Sequence, residues 1–375
     1  MRKAVHCSLL PAASFCLLVL LLLPACTKED PPLKIGFIGG LTGRVAGLGV
    51  AGRDAALLAV EERNAAGGIN GRRIELVSVD DKQDAAVARE VVANLITKDV
   101  VAIIGPMTSS MAAVVQPLIN QAQIVMVSPT VTSNQFNDQD DYFFRMTMPL
   151  KVNAAKQAED ALRKGLKTFA VSVDMGNAAY TEDILASFQK PFEAGGGRIV
   201  CVERFKSGKE GGFLPLAERL LKEKPDALLL VSGAMDTALI AQQVRKLGST
   251  VPLFASEWAF TSDVINFGGT AIDGLQSYVT YNPASQASPH LKFLADFEKR
   301  FGYKPSFAAV LAYESATYLF AGLEHNPRRE GLKTALGSIG SLQGLQGRVS
   351  INRFGDPDRA TFLAQIRNGQ FVTRE

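Results

Sequence analysis

Short, wholly apolar runs recur along the chain, each followed by a helical stretch. This alternation restricts the fold more than any other feature of the sequence. Leu33-Lys34-Ile35-Gly36-Phe37-Ile38 closes on Gly39-Gly40, the pattern of a parallel strand buried on both faces. An Ala-rich helix is expected from about Val50 to Ala66, stopping at Gly67-Gly68 as a helix ending in a left-handed glycine does. Ile69-Asn70-Gly71-Arg72 turns the chain into a strand, Ile74 to Val79. A helix from about Asp84, with Val87, Val91 and Leu95 on one face, precedes the strand Val100 to Ile104, and a further strand–helix pair is expected from Ser109 through Val127. Repeated βαβ order calls for a parallel sheet with helices on both faces.

The pattern restarts after Arg145. Helices are expected over Lys151 to Lys164, Ala179 to Ala194, Phe213 to Lys222 and Thr237 to Leu247. They alternate with strands over Thr168 to Val173, Arg198 to Glu203, Ala227 to Val231 and Pro252 to Ala255. Helices return near His290 to Phe301 and Ala308 to Leu323, and short strands fill the C-terminus around Val349 and Phe362. The fold class is therefore α/β, with two doubly wound parallel-sheet lobes whose strand-end crevices face one another. A length of 375 residues suffices for two such domains.

The N-terminus reads as an export signal. Arg2 and Lys3 precede an apolar run from Leu9 to Leu23, which is short for a membrane span and carries Pro11 and Ser14. It ends in Leu23-Pro24-Ala25-Cys26, which resembles the bacterial lipobox, where the cysteine is lipidated and the preceding peptide removed. An ordinary cleaved signal with a coincidental cysteine is the alternative. Thr27 to Pro32 is polar and Pro-ended, as a tether should be. The folded protein is thus expected in the periplasm or cell envelope. Removing residues 1–25 takes away Arg2 and Lys3 and no acid, so the net charge falls from +3 to +1. That charge gives no basic stripe for nucleic acid. Three histidines leave little for a metal site, and no metal or organic cofactor is implied. Cys7 and Cys16 fall in the signal, so Cys26 and Cys201 cannot form a disulfide framework.

Enzyme signatures are weak. Gly47-Leu48-Gly49-Val50-Ala51-Gly52 is a literal G-x-G-x-x-G, but it starts nine residues beyond the first strand, and the acids Asp80-Asp81 come nearly thirty residues after it. Glycines opening a helix beside a ligand crevice are the better reading. No nucleophile-elbow or phosphate-loop motif occurs. Asp80-Asp81 is read as capping the next helix, His290 and His325 as helix-surface residues, and Cys201 as an inert buried thiol. Binding features are stronger. Gly105-Pro106-Met107-Thr108-Ser109-Ser110 and Ser128-Pro129-Thr130-Val131-Thr132 both follow buried strands, so two hydroxyl clusters fall at one sheet edge, where a helix start can hold a carboxylate.

These segments carry a resemblance. Ile35-Gly36 with Leu41-Thr42-Gly43, Asn64-Ala65-Ala66-Gly67-Gly68-Ile69-Asn70-Gly71, Asp80-Asp81-Lys82-Gln83-Asp84, Ile104-Gly105-Pro106 with Ser109-Ser110, and Ser128-Pro129-Thr130 resemble the extracytoplasmic solute-binding proteins of branched-chain amino acid ABC transporters, which have the type I periplasmic-binding fold. The likeness runs from about Leu33 to the end. It implies two lobes closing over a free amino acid about three crossings, near Arg145 to Met148, Ser277 to Tyr281 and Phe362 to Ala364. The implied division is a signal over 1–26, a tether over 27–33, a first lobe of 34–146 with 281–362, and a second of 147–280 with 363–375.

By the same resemblance Ser109 and Thr132 take the ligand carboxylate, helped by backbone groups near Met107 and Thr130. Glu257 pairs with its ammonium, and Tyr180 closes from the second lobe. Leu48, Ala234, Trp258 and Phe307 shape the side-chain pocket. Leu48 stands where an aromatic is common and Ala234 where leucine-binding members carry a tyrosine, so a solute larger than leucine, or one held differently, is admitted. The expected protein is a monomer that presents its closed form to membrane permease subunits. The alternatives are a non-amino-acid organic acid or amide as ligand, or a sensory ectodomain.

Overall fold

The computed structural model describes residues 30–209 and 211–374, together with residues 1, 3 and 4. The rest of the expected signal, with Cys7, Cys16 and Cys26, and the start of the tether lie outside the described residues. Among the described residues no helix is long and apolar enough to cross a membrane.

The first lobe is built on β1 (Leu33–Gly39), β2 (Ile74–Asp80), β3 (Ala102–Ile104), β4 (Val125–Ser128) and β5 (Phe143–Arg145), all parallel in the order β2-β1-β3-β4-β5. Alternate residues divide between its two faces. Ile35, Phe37, Ile104 and Val127 point to the face covered by α1 (Ala46–Ala65) and by the helix over Phe307–His325. Ile38, Ile103 and Met126 point to α2 (Ala85–Thr97) and α3 (Ser109–Ala122). The second lobe runs α4 (Lys151–Arg163), β6 (Thr168–Asp174), α5 (Ala178–Ala194), β7 (Arg198–Phe205), α6 (Leu214–Leu221), β8 (Ala227–Val231), α7 (Ala234–Lys246), β9 (Leu253–Ala255), α8 (Ser262–Gly268) and β10 (Gln276–Val279).

The chain then returns to the first lobe with α9 (Ser288–Phe301), α10 (Phe307–His325), α11 (Leu332–Gly337) and a small sheet of β11 (Ser341–Gly344), β12 (Gly347–Ile351) and β13 (Pro357–Asp358). It finishes in the second lobe with β14 (Phe362–Arg367) and β15 (Gln370–Arg374), which complete a seven-stranded sheet in the order β15-β14-β10-β9-β8-β6-β7. β14 lies antiparallel to β10, so this sheet is parallel only from β10 to β7. Three crossings result: one just after β5, one just after β10 and one just before β14. Ser277 to Val279 and Phe362 to Ala364 are paired strand residues, so the second crossing begins within the expected segment, at Thr280 and Tyr281, and the third falls just before the expected one.

Several local expectations change. α1 starts at Ala46, not Val50, and takes in Gly47 and Gly49. A side chain at Gly49 would sit 2.1 Å from the Gly40 carbonyl oxygen, and one at Gly52 would press on Met107, so glycine lets this helix lie directly on β1. The G-x-G-x-x-G run thus serves close packing of a helix against the sheet. The buried stripe of α2 is Ala88, Val92 and Leu95, turned from the Val87–Val91 line, which is left half-exposed at its edge. Asp84 caps α2 by accepting from the Ala86 and Val87 amides.

Asp80 and Asp81 have another task. Asp80 accepts from the Leu41 and Lys82 amides and the Thr42 hydroxyl, tying the loop after β1 to the end of β2. Asp81 accepts from the Gln83 amide, and its burial pushes its pKa up to about 6. His290 is wholly buried rather than on a helix surface. It lies edge-on to Tyr281 of the second crossing, 5.7 Å between ring centroids, and beside the Gln346 amide, while burial lowers its pKa. Cys201 on the edge strand β7 is half-buried, and its thiol pKa is raised by burial and by Glu203.

Candidate ligand-binding cleft

Loops at the carboxyl ends of the parallel strands of both sheets converge where the lobes meet, as ligands do in open α/β sheets. Leu48 comes from the first turn of α1, and Met107, Thr108 and Ser109 from the β3–α3 connection. Thr130 and Thr132 follow β4, and Thr147 lies in the first crossing. The facing wall is Asn177 and Tyr180 after β6, with Glu257 and Trp258 after β9, and Phe307 opens α10. Nine of the ten residues singled out from the sequence therefore surround one space. Ala234 is the exception: it begins α7 and packs into the second lobe's own core. Its neighbour Gly233 instead faces the Trp258 ring, which a side chain there would meet at 3.5 Å. Thr108, Thr147 and Asn177 were not anticipated. Thr108, inside the Met107–Ser109 segment, and Thr147, inside the expected first crossing, had signals that could have found them.

The polar groups are held in fixed directions. Ser109 Oγ accepts from the Thr132 and Ser133 amides at 3.4 and 3.3 Å, which joins the two hydroxyl loops and leaves its own proton to donate elsewhere. Thr130 Oγ1 donates to the Met107 carbonyl at 2.6 Å, and Thr132 Oγ1 is buried with no protein partner. Opposite them, Glu257 Oε1 accepts from the Thr280 amide and hydroxyl at 2.6 and 2.7 Å. Burial raises the Glu257 pKa, against the pull of those two bonds and of the Arg359 charge. Tyr180, whose phenol pKa is also raised by burial, stands edge-on to Trp258 with centroids 5.9 Å apart. A donor-rich wall thus faces a carboxylate across an apolar gap.

The lobes touch on the near side of this gap. Arg44 pairs with Asp236 in the first turn of α7, the Ser110 amide donates to Asn177 Oδ1 at 3.0 Å, and the Ala179 amide donates to Ser110 Oγ at 3.1 Å. Asp183 Oδ2 accepts from the Ser133 hydroxyl and the Asn134 amide at 2.6 and 2.8 Å. Gly47 admits the Asp263 carboxylate so closely that a side chain there would overlap it. With the lobes drawn together, the space among the twelve residues is about 20 Å³, close to what one water needs.

Crevice, crossings and opposed polar walls define a two-lobed α/β protein of the periplasmic-binding type, with a cleft between its lobes. The family model for periplasmic binding proteins matches residues 32–370, and the chain belongs to that family. A leucine-, isoleucine-, valine-, threonine- and alanine-binding protein of Pseudomonas aeruginosa is 25% identical over 293 residues, 78% of each chain. The crystal structure of a leucine-binding protein from Thermotoga maritima superposes with a TM-score of 0.84 at 24% identity, covering 92% of this chain and 98% of that one. A solute-binding protein of an ABC transporter from R. palustris, solved in complex with benzoate, gives 0.83 at 21% identity, over 91% and 95% of the two chains.

Proposed function

We propose that this protein is the extracytoplasmic solute-binding component of an ABC importer, and that it captures a branched-chain or similarly hydrophobic amino acid. The observation that carries this reading is the placement of Ser109 and Thr132 hydroxyls on one lobe and the Glu257 carboxylate on the other. Hydroxyl and amide donors suit an α-carboxylate, and a buried carboxylate suits an α-ammonium through a charge-assisted bond. Leu48, Trp258 and Phe307 give the intervening side chain apolar walls, with Tyr180 closing from the second lobe. A purely anionic solute such as an aromatic acid would leave Glu257 without a counter-charge, which disfavours that alternative.

Closure follows because only the closed form touches the solute from both lobes, so binding draws the equilibrium that way. The moving bodies in this reading are 34–146 with 281–362 and 147–280 with 363–375, and the closed monomer is what the permease recognises. Trp258, the single tryptophan, lies in the cleft and serves as a built-in reporter. Titration with leucine, isoleucine and valine should change its fluorescence saturably. If none of the three binds at millimolar concentration, the amino-acid reading falls and an organic acid or amide takes its place.

The same reading places a lipid on Cys26. Membrane fractionation of Cys26→Ala should move the protein from the membrane to the soluble fraction. A variant that stays membrane-bound with residues 1–25 uncleaved would show the segment to be an ordinary anchor.

A further inference from the structure

Glu257 takes its direction from a residue that does not itself line the cleft. β9 and β10 are neighbouring parallel strands, so the turn after β9, which carries Glu257, meets the residue just beyond β10. That residue is Thr280, the first of the second crossing, and it is 2% exposed. Its amide and its hydroxyl both donate to Glu257 Oε1, at 2.6 and 2.7 Å. The other oxygen, Oε2, accepts no hydrogen bond among the described residues. One oxygen is thereby fixed and the other left to the cleft that Glu257 borders. A threonine hydroxyl has a single proton, and here it goes to Glu257.

We propose that Thr280 is a positioning residue for solute recognition, aiming the Glu257 carboxylate at the cleft and holding it ionised for a cationic nitrogen. The inference rests on the amino-acid reading above. Burial by itself favours the neutral acid, which offers an ammonium no charge to pair with. A donor on a carboxylate favours the charged form, and Thr280 supplies two of them. The Arg359 charge works in the same direction to a smaller degree, and Arg359 is itself paired with Glu314 at 2.8 Å. The remaining ionisable neighbours give Glu257 no counter-charge. Tyr180 of α5 is held neutral by burial, Asp236 of α7 is paired with Arg44, and Tyr278 of β10 interacts with Asp160 and Arg163 of α4. Glu298 and Lys304 stand exposed along the groove on the far side of Glu257.

Two readouts test this, one with solute and one without. Carbon NMR of the glutamate side-chain carboxyls follows ionisation in the free protein, with the Glu257 signal assigned by its loss in Glu257→Ala. Calorimetric titration with leucine gives the affinity. Thr280→Val keeps the shape and the amide bond but loses the hydroxyl bond. Its Glu257 titration midpoint should rise by about one pH unit, and leucine affinity at neutral pH should fall about tenfold. Thr280→Ser, which restores the hydroxyl, should return both to near the wild-type values. An unmoved midpoint in Thr280→Val would overturn the proposal. So would a Thr280→Ser variant that behaves like Thr280→Val, because shape and not the hydroxyl would then be what matters. If the folded wild type binds no leucine, the amino-acid reading falls, and the midpoints in the free protein still decide the role of Thr280. Should Thr280→Val fail to fold, Thr280→Ala takes its place in both measurements.

Discussion

Glu257→Ala is expected to weaken leucine binding about 30-fold or more. The carboxylate sits beside the cleft with both of its hydrogen bonds, from the Thr280 amide and hydroxyl, on one oxygen. Removing it leaves the ligand ammonium enclosed without a partner, a loss that typically costs about 2–5 kcal/mol. Glu257→Gln should lose less, because an acceptor remains, and Ser109→Ala less again, because backbone amides still face the carboxylate. Acid adds a second signature. Burial raises the Glu257 pKa, so the protonated form gains population as pH falls toward it and must release its proton to bind a cation. Wild-type affinity should therefore decline on acidification over a range where Glu257→Ala stays flat. Equal affinities for the two proteins at neutral pH would end the ammonium-pairing role.

Arg145→Met should destabilise the protein by about 3–5 kcal/mol, read as a lower urea midpoint. Arg145 ends β5 and is 1% exposed. Its guanidinium donates to Asp356, to the Ser133 carbonyl at 3.1 Å and to Asn137 Oδ1 at 2.7 Å. Asp356 Oδ2 in turn accepts from the Asp138 amide at 2.8 Å. Burial works against the charge on Arg145, and Asp356 opposes that penalty. Removing the arginine alone strands a buried carboxylate and releases the segment that carries Thr132. The double variant Arg145→Met with Asp356→Leu removes both charges and should recover much of the loss. If the double variant is no more stable than the single one, the cost lies in packing, not in the unpaired charge.

Much of the architecture was legible because buried parallel strands are continuous apolar runs, as in Ala227 to Val231, and because glycines mark helix ends. Gly67 and Gly68, both at positive φ, accept the end of α1 as the sequence implied. What was misjudged depends on neighbours distant in the chain. His290 looks like a surface residue until Tyr281 and Gln346 are brought against it. Gly47 and Gly49 were read as leading into a helix from about Val50, because nothing nearby shows that Gly40 and Asp263 will crowd the first turn of α1. Short pieces such as β5 and α8 carry too few residues to display a period. Ser109, Thr132, Tyr180 and Glu257, which line the cleft, were singled out through family resemblance. Ala234 was misplaced because the likeness gave no backbone path after β8. Asn177 escaped since its service to the Ser110 amide exists only across the lobes.

The bonds between the lobes carry a consequence for how binding strength and preference are encoded. If the lobes close as proposed, Arg44–Asp236 and the Asp183 contacts to Ser133 and Asn134 form whatever fills the cleft, so they set how often the protein is shut before any solute arrives. Apparent affinity scales with that competent fraction, whereas the ranking of solutes depends on the groups that touch them. Rim and cleft therefore act as separate controls. Drift at the rim retunes the concentration at which the protein fills, without changing which solute it prefers.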